Sequence, residues 1–159
     1  MTGNLQDVII RKASVPDIDS LVELLEELFS IEEDFVFDEQ KQRAGLLLML
    51  EAQDERCVMV AELNKKVVGM CSVQAVISTA EGCLAGVIED MIVSKKYRGK
   101  GIGKSLLELM EAWSKEKGIA RLQLLTDKNN AAALEFYKRT GWVNTQLICL
   151  RKFFSQNVR

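Results

Sequence analysis

Between Val93 and Ile102 an apolar run gives way to Tyr97-Arg98-Gly99-Lys100-Gly101-Ile102-Gly103-Lys104, and a helical pattern follows. Main-chain N–H groups at a helix start are unpaired and carry partial positive charge, so such a junction suits a phosphate or diphosphate. Glycines let the backbone approach a bulky anion with no Cβ in between. Lys95, Lys96, Arg98, Lys100 and Lys104 add charge, and positions 91 to 107 hold no acid. Two nucleotide motifs fail on spacing. A Walker A loop ends as Gly103-Lys104-Ser105 does, but its first glycine would fall at Arg98. Gly99, Gly101 and Gly103 are also wrongly spaced for Gly-x-Gly-x-x-Gly. Glycines and lysines alone would equally make a tight, solvated turn, so the ligand must be argued from what accompanies the loop.

Glu89 and Asp90 are neighbours in a strand-like run, where alternation sends them to opposite faces unless a bulge intervenes. Asn130 and Tyr137 lie seven apart on a short helical pattern, on one face with Ala133 between them. That spacing suits two groups addressing one elongated ligand. The chain has no histidine, which argues against a zinc site, a Ser-His-Asp triad and a Cys-His dyad. Any general base must then be a carboxylate, a water chain or another polar group. Cys57, Cys71, Cys83 and Cys149 form no Cys-x-x-Cys pair and, lying in or next to strand-like runs, read as reduced, buried thiols.

The 159 residues, 48% hydrophobic, suit one domain over 1–159. Net charge is −2 but unevenly spread: positions 13 to 40 hold ten acids and no Lys or Arg. The basic cluster after Val93 therefore points to a localised anion. Base-stacking aromatics are not interleaved with it, so no nucleic-acid partner is expected. The longest apolar run, Leu46 to Leu50, is too short to span a bilayer, and no leader pattern opens the chain. A cytoplasmic protein without a membrane partner is expected.

The elements that must position these residues follow from periodicity. Val8 to Arg11 reads as a strand. Ser14, Pro16 and Asp17 start a helix carrying Ile18, Leu21, Val22, Leu25, Leu28 and Phe29 on one stripe. A second helix runs from Asp38 to about Glu51. Strands follow at 57–63, 67–77 and 83–93, joined by turns at Asn64-Lys65-Lys66 and Glu81-Gly82. A helix starts after Gly101 and ends near Gly118. Leu122 to Thr126 reads as a strand, Asn129 or Asn130 caps a helix that stops at Gly141, and closing strands are expected from Val143 and over 147–153. The order predicts an α+β (mixed α/β) domain with one sheet covered by helices.

The loop resembles that of the GNAT superfamily of N-acetyltransferases, whose acetyl-CoA segment reads Arg/Gln-x-x-Gly-x-Gly/Ala, matched by Arg98, Gly101 and Gly103. Ile88-Glu89-Asp90-Met91-Ile92-Val93 is similar to the family's preceding strand, and the block from Asn129 to Trp142 to its later helix. The N-terminal strand and capped helix look like the family's opening, so the resemblance covers essentially the whole chain. It implies the acyl-CoA N-acyltransferase fold, a central, mostly antiparallel twisted sheet flanked by helices. It also implies transfer of acetyl from acetyl-CoA to an amine, with no metal and no covalent enzyme intermediate. Met91, Ile92 and Val93 would pair with the pantetheine arm through their backbone. Arg98, Gly99, Lys100, Gly101, Ile102, Gly103 and Lys104 would hold the diphosphate through loop amides. Asn130, Ala133 and Tyr137 would contact the cofactor, with Tyr137 also the acid for the departing thiolate. Glu89 matches a position that often carries the base, and Asp90 is its rival. A homodimer is implied by the resemblance alone. The acidic first two helices favour a cationic acceptor: a polyamine, an aminoglycoside-like amine, or a protein or peptide amine. A non-catalytic acyl-CoA-binding or sensing domain is the alternative, and a P-loop-like nucleotide binder is a third reading weakened by spacing.

Overall fold

The computed structural model describes residues 8–51 and 54–154, which divide into two units, Met1–Leu124 and Leu125–Arg159. In the first unit five strands form one sheet in chain order: β1 (Ile9–Lys12), β2 (Arg56–Leu63), β3 (Lys66–Ser78), β4 (Cys83–Val93) and β5 (Ile119–Leu124). Neighbours from β1 to β4 are antiparallel, while β4 and β5 are parallel. That last pairing needs a long crossover, supplied by α3 (Ile102–Glu116). Helices α1 (Ile18–Phe29) and α2 (Glu39–Glu51) lie between β1 and β2 in sequence.

Local chemistry sets these limits. Asn64 and Lys65 both take positive φ, 51° and 62°, which is what a two-residue hairpin turn between β2 and β3 demands. Asp17 Oδ2 accepts from the Ser14 N–H at 2.8 Å and from its hydroxyl at 3.1 Å, closing the entry to α1. Arg11 on β1 donates to both Asp17 oxygens at 2.8 Å and to Glu62 on β2 at 2.8 Å, tying the edge strand to that entry. Ile18, Leu21, Val22, Leu24 and Leu25 of α1, with Leu46 and Leu50 of α2, pack on Val58, Val60, Met70 and Ile92 of the sheet. Gly69, next to Met70 and so facing the other way, lies against Leu106 of α3. The helices thus cover both faces, and Leu106, Leu107 and Met110 are fully buried.

In the second unit Asn130 caps α4 (Ala131–Arg139), its Oδ1 accepting the Ala133 N–H at 3.1 Å. The helix ends in a Schellman turn: Trp142 N–H donates to Tyr137 O at 2.9 Å and Gly141 N–H to Lys138 O at 3.2 Å, with Gly141 at φ +91°. The elements match expectation up to this point, except that β5 begins at Ile119, directly after Gly118 ends α3, rather than at Leu122. The closing strands expected from Val143 and over 147–153 are absent among the described residues. The sheet ends at β5, and strand-type residues without a ladder partner do not form a strand.

Candidate active site

A bulge in β4 decides where its acids point. Ile88 pairs with Val73 and Met91 with Cys71, so Glu89 and Asp90 together oppose Ser72. Alternation is cancelled there: Ile88 and Met91 are three apart yet lie on one face, as Val73 and Cys71 do. The extra residue costs a ladder bond, and Ser72 supplies the replacement. The Asp90 N–H donates to Ser72 Oγ at 3.1 Å, and the Ser72 hydroxyl donates to Asp90 Oδ2 at 3.0 Å. Ser72 is fully buried. Burial pushes the Asp90 carboxyl up to about 6; the Ser72 hydrogen bond opposes this and the charge of Glu89 adds to it. Glu89 itself is exposed.

The bulge also ends the parallel ladder, whose last pair is Ile88 with Leu124. Past it, the β5 side of Met91, Ile92 and Val93 pairs with no strand among the described residues. That edge leads through Ser94 and a 3-10 turn, Lys95–Tyr97, into the glycine loop. Gly99 (φ +74°) and Gly101 (φ +81°) take left-handed conformations that side chains resist. Gly101 is the N-cap of α3 and offers no side chain, and Ser105 N–H returns to Gly101 O at 3.1 Å. By helix geometry the N–H groups of Ile102, Gly103 and Lys104 lack intrahelical acceptors, so several donors converge on one small region. Lys100 Nζ sits 5.6 Å over the Tyr97 ring, and Lys104 Nζ lies 3.6 Å from Glu108.

Arg98 behaves differently from its lysine neighbours. Its Nε donates to Val93 O at 2.7 Å and its Nη2 to Glu27 Oε1 at 2.9 Å. The same Glu27 oxygen accepts the Lys95 N–H at 2.7 Å. In the sequence Glu27 is one of the ten acids of positions 13 to 40, and no local pattern links it to a loop some seventy residues on. Asp19 and Glu39 of that acidic region bind Arg43 at 2.7 and 3.0 Å. The α1–α2 connection carries Glu32, Glu33 and Asp34 between Phe29 and Phe35, whose rings stack at 5.2 Å.

In the second unit Ala133 and Tyr137 on α4, and Asn130 at its N-cap, are half-buried. The Tyr137 ring is edge-on to Phe136 at 5.2 Å and to Trp142 at 5.8 Å. The remaining predicted site residues lie in the first unit. Among the described residues no cluster of His, Cys, Asp or Glu could hold a metal, and no helix is long and apolar enough to cross a membrane.

A five-stranded sheet with helices on both faces, its last ladder ending at a bulge and its fourth strand leading into a glycine loop at a helix start, is an α+β fold. Residues 18–142 match the acetyltransferase (GNAT) family, and the chain belongs to it. An uncharacterized N-acetyltransferase of Methanocaldococcus jannaschii is 27% identical over 140 residues, covering 87% of this chain and 62% of that protein. The chain thus spans less than two thirds of that relative. The aminoalkylphosphonate N-acetyltransferase of Salmonella typhimurium is 29% identical over 133 residues, covering 84% and 83%. Among solved structures, a transcriptional regulator from Bacillus halodurans C-125 superposes with a TM-score of 0.79 at 25% identity, covering 92% of this chain and 99% of that one.

Proposed function

We propose that the protein is an acetyl-CoA-dependent N-acetyltransferase in which an amine attacks the thioester directly within a ternary complex. One observation carries this reading: the edge of Met91, Ile92 and Val93, which pairs with no strand among the described residues, leads through a single 3-10 turn into the donors of the glycine loop. An extended thioester with a diphosphate at its far end fits such a track. The strand backbone pairs with the pantetheine arm, and one N–H polarises the thioester carbonyl as negative charge grows on its oxygen. The amides of the loop from Arg98 to Lys104 hold the diphosphate, and Asn130, Ala133 and Tyr137 contact the cofactor. Glu89 takes the ammonium proton, directly or through water. The amine nitrogen then bonds to the carbonyl carbon, the C–S bond breaks, and Tyr137 protonates the CoA thiolate. Asp90, half-buried beside the bulge with its carboxyl pushed up to about 6, supports a second assignment of the base.

The acceptor is a cationic amine: a polyamine, an aminoglycoside-like amine, or a protein or peptide amine. Support comes from Glu32, Glu33 and Asp34 in the connection, and from a relative named for an amine-bearing acceptor. The enzyme works as a cytoplasmic homodimer, a state that sedimentation would check. Thiol release from acetyl-CoA over a panel of amines tests the activity. Binding of acetyl-CoA with no thiol release for any amine would instead favour the non-catalytic acyl-CoA-binding domain, which the similarity to a regulator supports. Neutralising Glu32, Glu33 and Asp34 together should raise KM for cationic amines about tenfold; unchanged kinetics across the panel would remove the acidic-wall argument.

A further inference from the structure

We infer that Glu27 is the positioning residue of the phosphate loop, and that the Arg98 side chain is a brace for that loop rather than a ligand of the diphosphate. The inference rests on the reading of the loop as the acetyl-CoA site. One Glu27 oxygen takes both the Lys95 N–H at 2.7 Å and the Arg98 guanidinium at 2.9 Å. Arg98 Nε meanwhile closes onto Val93 O at 2.7 Å, at the end of the strand edge. The Ser94 N–H, between them, donates to Val68 O at 2.9 Å on β3. These side-chain and strand ties at the loop's entry are directed toward α1 and the sheet, and the Tyr97 N–H closes the turn locally onto Ser94 O at 2.8 Å. The Arg98 guanidinium is thus engaged by Glu27 and Val93, and the amides from Gly99 to Lys104 are left to face the anion.

Energetics favour a local role over a stabilising one. The Arg98 and Glu27 side chains are 41% and 30% exposed, so their ion pair contributes little to global stability. Its effect is to fix the start of a loop whose two left-handed glycines would otherwise leave it loose. Donors held about 1 Å out of place lose most of their value to a bound anion.

The test uses the full-length protein with two thioesters, acetyl-CoA and acetyl-pantetheine, the second lacking the diphosphate. Glu27→Ala should raise KM for acetyl-CoA about tenfold, with kcat within about twofold and the melting temperature unchanged. KM for acetyl-pantetheine should not move. Arg98→Ala should give the same pattern, and the double variant should be no worse than either single one, because both remove a single brace. Glu27→Gln, which keeps an acceptor for the Lys95 amide, should lose less. Unchanged or tighter acetyl-CoA binding by Glu27→Ala would overturn the inference. So would additive losses in the double variant, since Arg98 would then touch the phosphates on its own. If calorimetry finds no acetyl-CoA binding by the unmodified protein, the reading of the site fails and takes the brace with it.

Discussion

Burial holds the Asp90 carboxyl near 6, inside the range where a proton acceptor must work at neutral pH. Under the assignment of Asp90 as the base, kcat/KM should fall as pH drops through about 6 and Asp90→Asn should flatten that limb, whereas a limb that persists in Asp90→Asn would leave the role to Glu89. The same group bears on stability with the opposite sign. Its folded-state value lies above the ordinary 3.8, so the fold is favoured below pH 3.8 and loses that advantage as pH rises through about 6. Asp90→Asn should therefore stabilise the protein at pH 7 by about 1–2 kcal/mol while lowering turnover, which urea unfolding and kinetics would show together. Tyr137→Phe should cut kcat by about 10–100-fold with little change in acetyl-CoA affinity; equal losses in both would contradict the acid role. Sequence placed Tyr137 and Asn130 on one helix face because a period of 3.6 needs no outside partner. It could not choose between Glu89 and Asp90, since that depends on a bulge set by the register against β3. Glu27 was illegible for a related reason: its partners are 68 and 71 residues away.

At the scale of elements, α1, α3 and the three central strands were legible because their apolar periods are long and their caps sit beside them. The segment after α4 was not. Leu147, Ile148, Leu150 and Phe153 have strand chemistry, but no ladder receives them among the described residues. Gly101 is the element-level weak point, since a left-handed N-cap at φ +81° penalises any Cβ. Gly101→Ala should cost about 1 kcal/mol of stability and weaken acetyl-CoA binding, measurable by thermal unfolding and calorimetry. The entry to α1 carries a pH signature of its own. The Arg11 guanidinium, then the Ser14 groups, hold the Asp17 carboxyl down to about 2 against the cost of burial. Stability from this clamp is complete above about pH 4 and is lost as pH falls through 2. Arg11 is partly solvated, so the loss is about 1–2 kcal/mol. Asp17→Asn should show a correspondingly smaller fall in urea midpoint between pH 5 and 2.

For the whole molecule, charge and apolar surface are both unevenly distributed. Acids crowd 13 to 40 and cations crowd 95 to 104, so capture of an anionic cosubstrate should slow as ionic strength rises. Leu147, Ile148, Leu150, Phe153 and Phe154 are each at least 80% exposed, more apolar surface than a short segment ordinarily shows to water. Ending the chain at Thr145 should reduce concentration-dependent self-association in sedimentation experiments.

The tie from Glu27 to the glycine loop also orders events in time. Its two ends are 71 residues apart, so the loop cannot acquire its anchored form until α1 has docked on a sheet built largely from later residues. Local structure within α3 needs no such closure and forms on a much shorter timescale. In a refolding experiment, competence to bind acetyl-CoA should therefore lag behind the recovery of helical signal, and Glu27→Ala should widen that lag.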